Sequence, residues 1–204
     1  MIRLNMAQGS REWIQARLGI PTASQFHRII SPKTMKPSAS AGGYLYELVA
    51  ERIIGESLDE LVTAYMERGA ALEDEAVKFY ELQRNLDTER VGFCLRDDGR
   101  VGCSPDRLVG GDGGLEIKCP SAKTHVGYLI GEPQNEYRAQ VQGCLWITGR
   151  DWWDWLSFHP DMPPALIRFR RDEEFIAALD EAMSEFLGRL DGGVARVRAR
   201  MNDE

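Results

Sequence analysis

The 204-residue sequence predicts an α/β fold made of one domain, residues 1–204, and three observations carry that expectation. Apolar residues recur at helical spacing over 43–84 and over 172–190, the periodicity of amphipathic helices. Between these stretches lie short apolar or β-branched runs separated by DDG and GGDGG, which are tight-turn signals. No internal repeat and no shift in composition divides the chain.

From the start, SREWIQARLG predicts a short helix with Ser10 as its N-cap, stopped by Gly19-Ile20-Pro21. Thr22 is placed to cap a second helix that carries Phe26, Ile29 and Ile30 on one side. Residues 31–43, SPKTMKPSASAGG, are polar, basic and rich in helix breakers, and they predict a mobile surface loop that either connects or grips DNA. Leu45, Leu48, Val49 and Ile53 are spaced for one helix, and Leu72, Ala76, Phe79 and Tyr80 for another.

VGFCLR, RVGCS and GLEIKC then predict a three-strand meander. A short helix is expected near residues 123–130 and a longer one across YRAQVQGCLWIT. WWDWLSFHP and ALIRFR predict two further strands. DEEFIAALDEAMSEFLGRL predicts a closing amphipathic helix whose acidic first turn complements the helix dipole.

Composition narrows the function classes. A hydrophobic fraction of 43% and a charged fraction of 28% are ordinary for globular proteins. No apolar run approaches the roughly 18 residues that a membrane span needs, and the first ten residues lack the apolar centre of a signal peptide, so a cytoplasmic location is expected. Cys94, Cys103, Cys119 and Cys144 form no C-x-x-C pair and lie in apolar stretches, which predicts buried free thiols. A net charge of −7 argues against a broad basic face that coats nucleic acid. It leaves room for a nuclease, because a carboxylate cluster that takes divalent cations is itself negative.

Residues 101–120, VGCSPDRLVGGDGGLEIKCP, set Asp106, Glu116 and Lys118 into otherwise apolar runs. Glu116 and Lys118 share one face of a strand, while Leu115, Ile117 and Cys119 share the other. The GGDGG turn brings Asp106 back beside Glu116. Two carboxylates that close repel unless a cation lies between them, and hard oxygen ligands suit Mg²⁺ or Mn²⁺. A surface Glu–Lys ion pair is the simpler reading of E-x-K by itself. The Pro-Asp ten residues upstream and the strand-turn-strand setting favour a hydrolytic centre.

SPDRLV followed by GGLEIKCP resembles the PD-(D/E)XK nuclease signature, in the form of the phage lambda exonuclease and YqaJ-type viral recombinase family. WIQARLGIPTAS, RGAALEDEAVKFYE and YRAQVQGCLW resemble further motifs of that family in the same order, so the similarity covers most of residues 10–148. The resemblance implies a restriction-endonuclease-like core, a central mixed β-sheet flanked by helices. It also implies a Mg²⁺-dependent 5′-to-3′ exonuclease that digests one strand of linear double-stranded DNA to mononucleotides. A 3′ single strand would remain for recombination by strand annealing.

By the same resemblance Asp106, Glu116 and the main-chain carbonyl of Ile117 are metal ligands, with two Mg²⁺ per site and Mn²⁺ able to substitute. Lys118 serves the attacking water, Glu73 is an additional acidic residue near the metals, and Gln140 approaches the lysine. Gln142 falls on a different helix face. Arg17, Ser24 and Ser104 match positions that hold a terminal 5′ phosphate. The loop after Pro120 departs from the family pattern, and Lys123 is the nearest match to its basic contact.

The implied partners are double-stranded DNA ends, two further copies in a homotrimer ring, and a single-strand annealing protein. The implied setting is a bacterial cell carrying a phage or prophage. Another PD-(D/E)XK endonuclease or repair nuclease is the nearest alternative, and an inactive DNA-binding scaffold the more distant one. Cysteine spacing disfavours the iron–sulfur branch.

Overall fold

The computed structural model describes residues 1–58, 64–131 and 133–203. Its first strand, β1 (Ile2–Leu4), precedes helix α1 (Arg11–Arg17), which opens at Ser10 as expected. The Ser10 hydroxyl accepts from the Trp13 amide at 3.2 Å, satisfying one of the unpaired N–H groups of the first turn. Gly19, at φ 64°, turns the chain away, and a Cβ there would lie 2.4 Å from Arg52 Cγ. Only glycine fits both demands.

The segment after Thr22 is a six-residue 3-10 helix, Ala23–Arg28, rather than the capped α-helix expected, and the Thr22 side chain makes no cap bond. The Thr22 amide donates instead to the Tyr44 hydroxyl at 3.2 Å. Phe26, Ile29 and Ile30 are buried, with Phe26 over Gly143, where a Cβ would stand 2.5 Å from its ring. The tight winding suits so short a segment pressed onto a helix.

The loop expected over 31–43 is shorter and closed on itself. Ser31 N–H donates to the Lys36 carbonyl at 2.8 Å, Ile30 bridges Pro37, and α2 (Ala41–Ile54) already starts at buried Ala41.

Helix α3 (Ala64–Arg84) turns Ala76, Val77 and Tyr80 inward. It is followed by β2 (Thr88–Glu89), β3 (Phe93–Leu95), β4 (Gly102–Cys103), β5 (Arg107–Val109) and β6 (Gly113–Lys118). The expected three-strand meander is divided between two sheets. β1, β3 and β4 form a small antiparallel sheet, whereas β5 and β6 belong to a five-stranded sheet of order β2-β5-β6-β7-β8. Pro105 explains the division, since it has no N–H to extend a ladder and so separates β4 from β5.

Helices α4 (Ala122–Ile130) and α5 (Gln134–Thr148) follow, then β7 (Trp152–Ser157) and β8 (Ala165–Arg170), all near the expected places. β7 runs parallel to β6, and the other neighbours in the larger sheet are antiparallel, so the sheet is mixed. Helix α3 covers one face, where Leu115, Ile117 and Leu156 meet Ala76 and Tyr80. On the other face Leu108 and Trp153 join the core that includes Ala139, Leu145 and Leu179.

The last helix, α6 (Glu173–Asn202), runs well past the expected stop at Leu190. Gly193, which looks like a breaker, admits a neighbour instead: a Cβ there would lie 2.9 Å from Val49 Cγ2 of α2. Cys94, Cys103 and Cys144 are buried and free, and Cys119 is half-buried and free. Among the described residues no helix is long and apolar enough to cross a membrane.

Candidate active site

Asp106 stands between Pro105 and β5, and Glu116 and Lys118 lie on the adjacent β6. The register Arg107↔Leu115 sets Asp106 at the end of the hairpin where Glu116 emerges. One carboxylate oxygen of Asp106 accepts from the Ile117 amide at 2.5 Å. Glu116 Oε1 accepts from Lys118 Nζ at 2.6 Å and from Gln140 Nε2, on α5, at 2.6 Å. Lys118 and Gln140 therefore meet on one oxygen of Glu116, and Asp106 is tied to the same strand one residue on, at Ile117. Gln142 turns elsewhere, donating to the Arg170 carbonyl at 2.8 Å, as its different helix face requires.

Glu73 is drawn to the edge of this group. Its Oε1 accepts from Arg107 Nη1 at 2.6 Å, and the same guanidinium nitrogen donates to the Asp106 carbonyl at 2.6 Å. Nothing local in the sequence marks Arg107: directly after Pro-Asp it passes for an ordinary strand residue, although its side chain is buried.

Burial, and then the Glu116 charge, push the Asp106 carboxyl well above the usual carboxylate range, against the Lys118 charge and the Ile117 N–H. Burial alone would depress Lys118, but the Glu116 and Asp106 carboxylates outweigh it and hold the ammonium above its ordinary value. In this state Lys118 donates hydrogen bonds and cannot accept a proton. Tyr137 completes its surroundings, the ring centroid lying 5.4 Å from Nζ.

The donor set fits a hard divalent cation. Glu116 is almost wholly buried, yet its Oε2 has no hydrogen-bond partner. Such an atom is costly unless something positive reaches it. Among the described residues no three His, Cys, Asp or Glu side chains gather as a metal group. Mg²⁺ needs no such cage, since it is commonly held by one or two carboxylates with waters and substrate phosphates.

A second cluster adjoins the first through Ser104-Pro105-Asp106. Ser104 Oγ accepts from Arg17 Nη1 at 3.1 Å, and Gln8 Nε2 pins the connecting segment through the Pro105 carbonyl at 2.9 Å. Ser24 is exposed, and its hydroxyl lies 3.4 Å from Thr22 Oγ1, one step from the Thr22↔Gly102 bridge that leads toward Ser104. Lys123 is exposed in the first turn of α4.

These features coincide with a known family. The sequence pattern of the YqaJ-like viral recombinase domain matches residues 12–151, and the chain belongs to that family. The chain is similar to LHK-Exo, an alkaline exonuclease from Laribacter hongkongensis. The two are 32% identical with a TM-score of 0.85, over 95% of this chain and 99% of that one. A structure of LHK-Exo in complex with dAMP matches equally well. A phage-related exonuclease from Haemophilus somnus 129PT shares the fold, with a TM-score of 0.70 at 19% identity, over 87% of this chain and 96% of that one. The uncharacterised protein ExoD of Escherichia coli (strain K12) is 30% identical over 67 residues, covering 31% of this chain and 77% of that one.

Proposed function

We propose that the chain is a metal-dependent 5′-to-3′ exonuclease on linear double-stranded DNA, releasing mononucleotides and leaving a 3′ single strand for recombination. The observation that carries the proposal is the meeting of Asp106, Glu116, Lys118 and Gln140, with one buried oxygen of Glu116 unpartnered. Likeness to an alkaline exonuclease supports the reaction class, and that relative's complex with dAMP suits a mononucleotide product.

Asp106, Glu116 and the Ile117 carbonyl would hold Mg²⁺, two ions per site with Mn²⁺ as a substitute. Bound Mg²⁺ supplies Lewis-acid polarisation of the phosphodiester and a more acidic water. Lys118 donates to the negative charge that develops at the scissile phosphate and orients the attacking water. Gln140, through Glu116 Oε1, keeps that carboxylate from rotating onto the lysine alone. Glu73, paired with Arg107, adds negative potential near the cations.

Arg17, Ser104 and Ser24 supply polarity of digestion by taking the terminal 5′ phosphate. A monoester carries more charge than an internal diester and gains more from a guanidinium. Assembly as a homotrimer ring would concentrate the few positive groups of an acidic chain around the duplex, and light scattering coupled to gel filtration tests it. A single-strand annealing protein is the partner that the product calls for.

The deciding experiment incubates a linear duplex with one 5′-phosphorylated end in Mg²⁺, with and without chelator. Mononucleotides from one strand support the proposal. Internal fragments would show an endonuclease instead, and absence of product a DNA-binding scaffold.

A further inference from the structure

We infer that Trp13 is the positioning residue of the Arg17–Ser104 pair, fixing the guanidinium plane and the hydroxyl direction so that both address a phosphate monoester at a DNA strand end. The inference rests on the end-binding role proposed above.

Trp13 and Arg17 are one turn apart on α1, and the Arg17 guanidinium carbon lies 4.0 Å from the centroid of the Trp13 ring. Stacking of this kind fixes the plane of an otherwise flexible fork. The indole is itself anchored, because Nε1 donates both to the Gly92 carbonyl at 3.2 Å and to Ser104 Oγ at 3.0 Å. Ser104 Oγ thus accepts from Trp13 and from Arg17 together.

A hydroxyl oxygen has two acceptor positions and one proton. With both positions filled, Ser104 can act toward a ligand only as a donor. Arginine and indole have no acceptor of their own. With the indole N–H directed at Gly92 and Ser104, the groups addressed to a ligand are those of Ser104 and Arg17, which offer donors and no acceptor and so suit a phosphate dianion, whose oxygens are acceptors.

A purely packing role accounts less well for the ring. Trp13 is half-buried and belongs to neither apolar core. Its polar edge is aimed at Ser104, two residues before Asp106, so what it orients is joined by a short, pinned segment to the hydrolytic centre.

The test compares initial rates, resolved into KM and kcat, on one linear duplex ending in either 5′ phosphate or 5′ hydroxyl. The proteins are wild type, Trp13→Phe, Trp13→Leu and Arg17→Ala, each with its thermal midpoint recorded. Wild type should favour the phosphorylated end by roughly tenfold or more, chiefly in KM. Trp13→Phe keeps a ring beneath the guanidinium but loses the indole N–H, and should cut that ratio by about threefold. Trp13→Leu loses both and should fall to the ratio of Arg17→Ala.

A loss of folded enzyme lowers both rates together and leaves the ratio intact, so the ratio isolates positioning. If Arg17→Ala loses the preference while both Trp13 variants keep it, the inference is overturned and the end site stands. If wild type shows no preference, the end site itself is wrong and the inference falls with it.

Discussion

Two buried carboxylates sit on neighbouring strands of the same sheet and face opposite ways. Glu116 on β6 pairs in register with Trp155, and Asp154 on β7 with Leu115. Asp154 is completely inaccessible and fully answered. Arg168 grips both its oxygens at 2.7 Å, and the Tyr80 hydroxyl donates at 2.8 Å. Glu116 carries two donors on one oxygen and none on the other. The difference separates a carboxylate that holds α3 to the sheet from one that keeps an open position. Burial alone would rank the two as equals.

The largest expected effect lies on the open side. Asp106→Ala, Glu116→Ala and Lys118→Ala should each lower cleavage by at least roughly a thousandfold, about 4 kcal/mol of barrier, with the fold retained. Near-normal turnover by Lys118→Ala at an unchanged thermal midpoint would remove the hydrolytic centre from this face of the sheet.

On the closed side the cost should appear in stability. Asp154→Ala leaves the buried Tyr80 hydroxyl without its acceptor, while the Arg168 guanidinium, a third exposed, stays solvated, so the cost should be about 1–3 kcal/mol. Turnover per folded molecule should change little, because Asp154 faces away from Lys118. Urea unfolding combined with active-site titration checks both halves. A stable variant with collapsed turnover would erase the distinction between the two carboxylates.

Divalent cations sharpen the comparison from another direction. A ligand that binds only the folded state stabilises it by RT ln(1 + [L]/Kd), about 2.7 kcal/mol at a hundredfold excess over Kd. Mg²⁺ or Ca²⁺ should therefore raise the thermal midpoint of wild type and of Asp154→Asn, and leave Glu116→Gln nearly unmoved. Glu116→Gln without metal should be no more stable than wild type, since the substitution takes from Lys118 the carboxylate it pairs with. Equal metal-dependent shifts in all three proteins would place the cations elsewhere.

The open carboxylate was legible in the sequence and the closed one was not, for a physical reason. Asp106, Glu116 and Lys118 lie within one hairpin, where strand periodicity and a glycine turn fix their relation. Asp154, Arg168 and Tyr80 converge from three elements, and nothing local to WWDWLSFHP marks its aspartate as paired. The same limit hid the bond from Trp13 to Ser104 and the hold of Arg107 on Glu73. Long helices show their period, and the six-residue strands β7 and β8 show as aromatic and apolar runs. β2, β4 and β5 are too short to show one, so in the sequence the passage from one sheet to the other at Pro105 looks like a single meander.

The smallest expected effect comes from a third carboxylate, answered like Asp154 but open to water. Asp172 caps α6: Oδ1 accepts from the Phe175 amide at 3.1 Å, and Oδ2 pairs with Arg138 at 2.5 Å. Burial raises its pKa, but the Arg138 guanidinium and the Phe175 N–H outweigh that and hold the carboxyl below its ordinary range. The folded value thus lies under the unfolded value of about 3.9. Its contribution is then fully present above that pH and is lost as pH falls through the folded pKa. Asp172→Asn keeps a capping oxygen and loses the charge. With a third of the side chain exposed, solvent screening limits the cost to about 0.5–1 kcal/mol near pH 7. Denaturant unfolding of both proteins near pH 7 and again near pH 3 should show the gap narrowing. A gap of constant size would mean that cap geometry, and not charge, sets what Asp172 contributes.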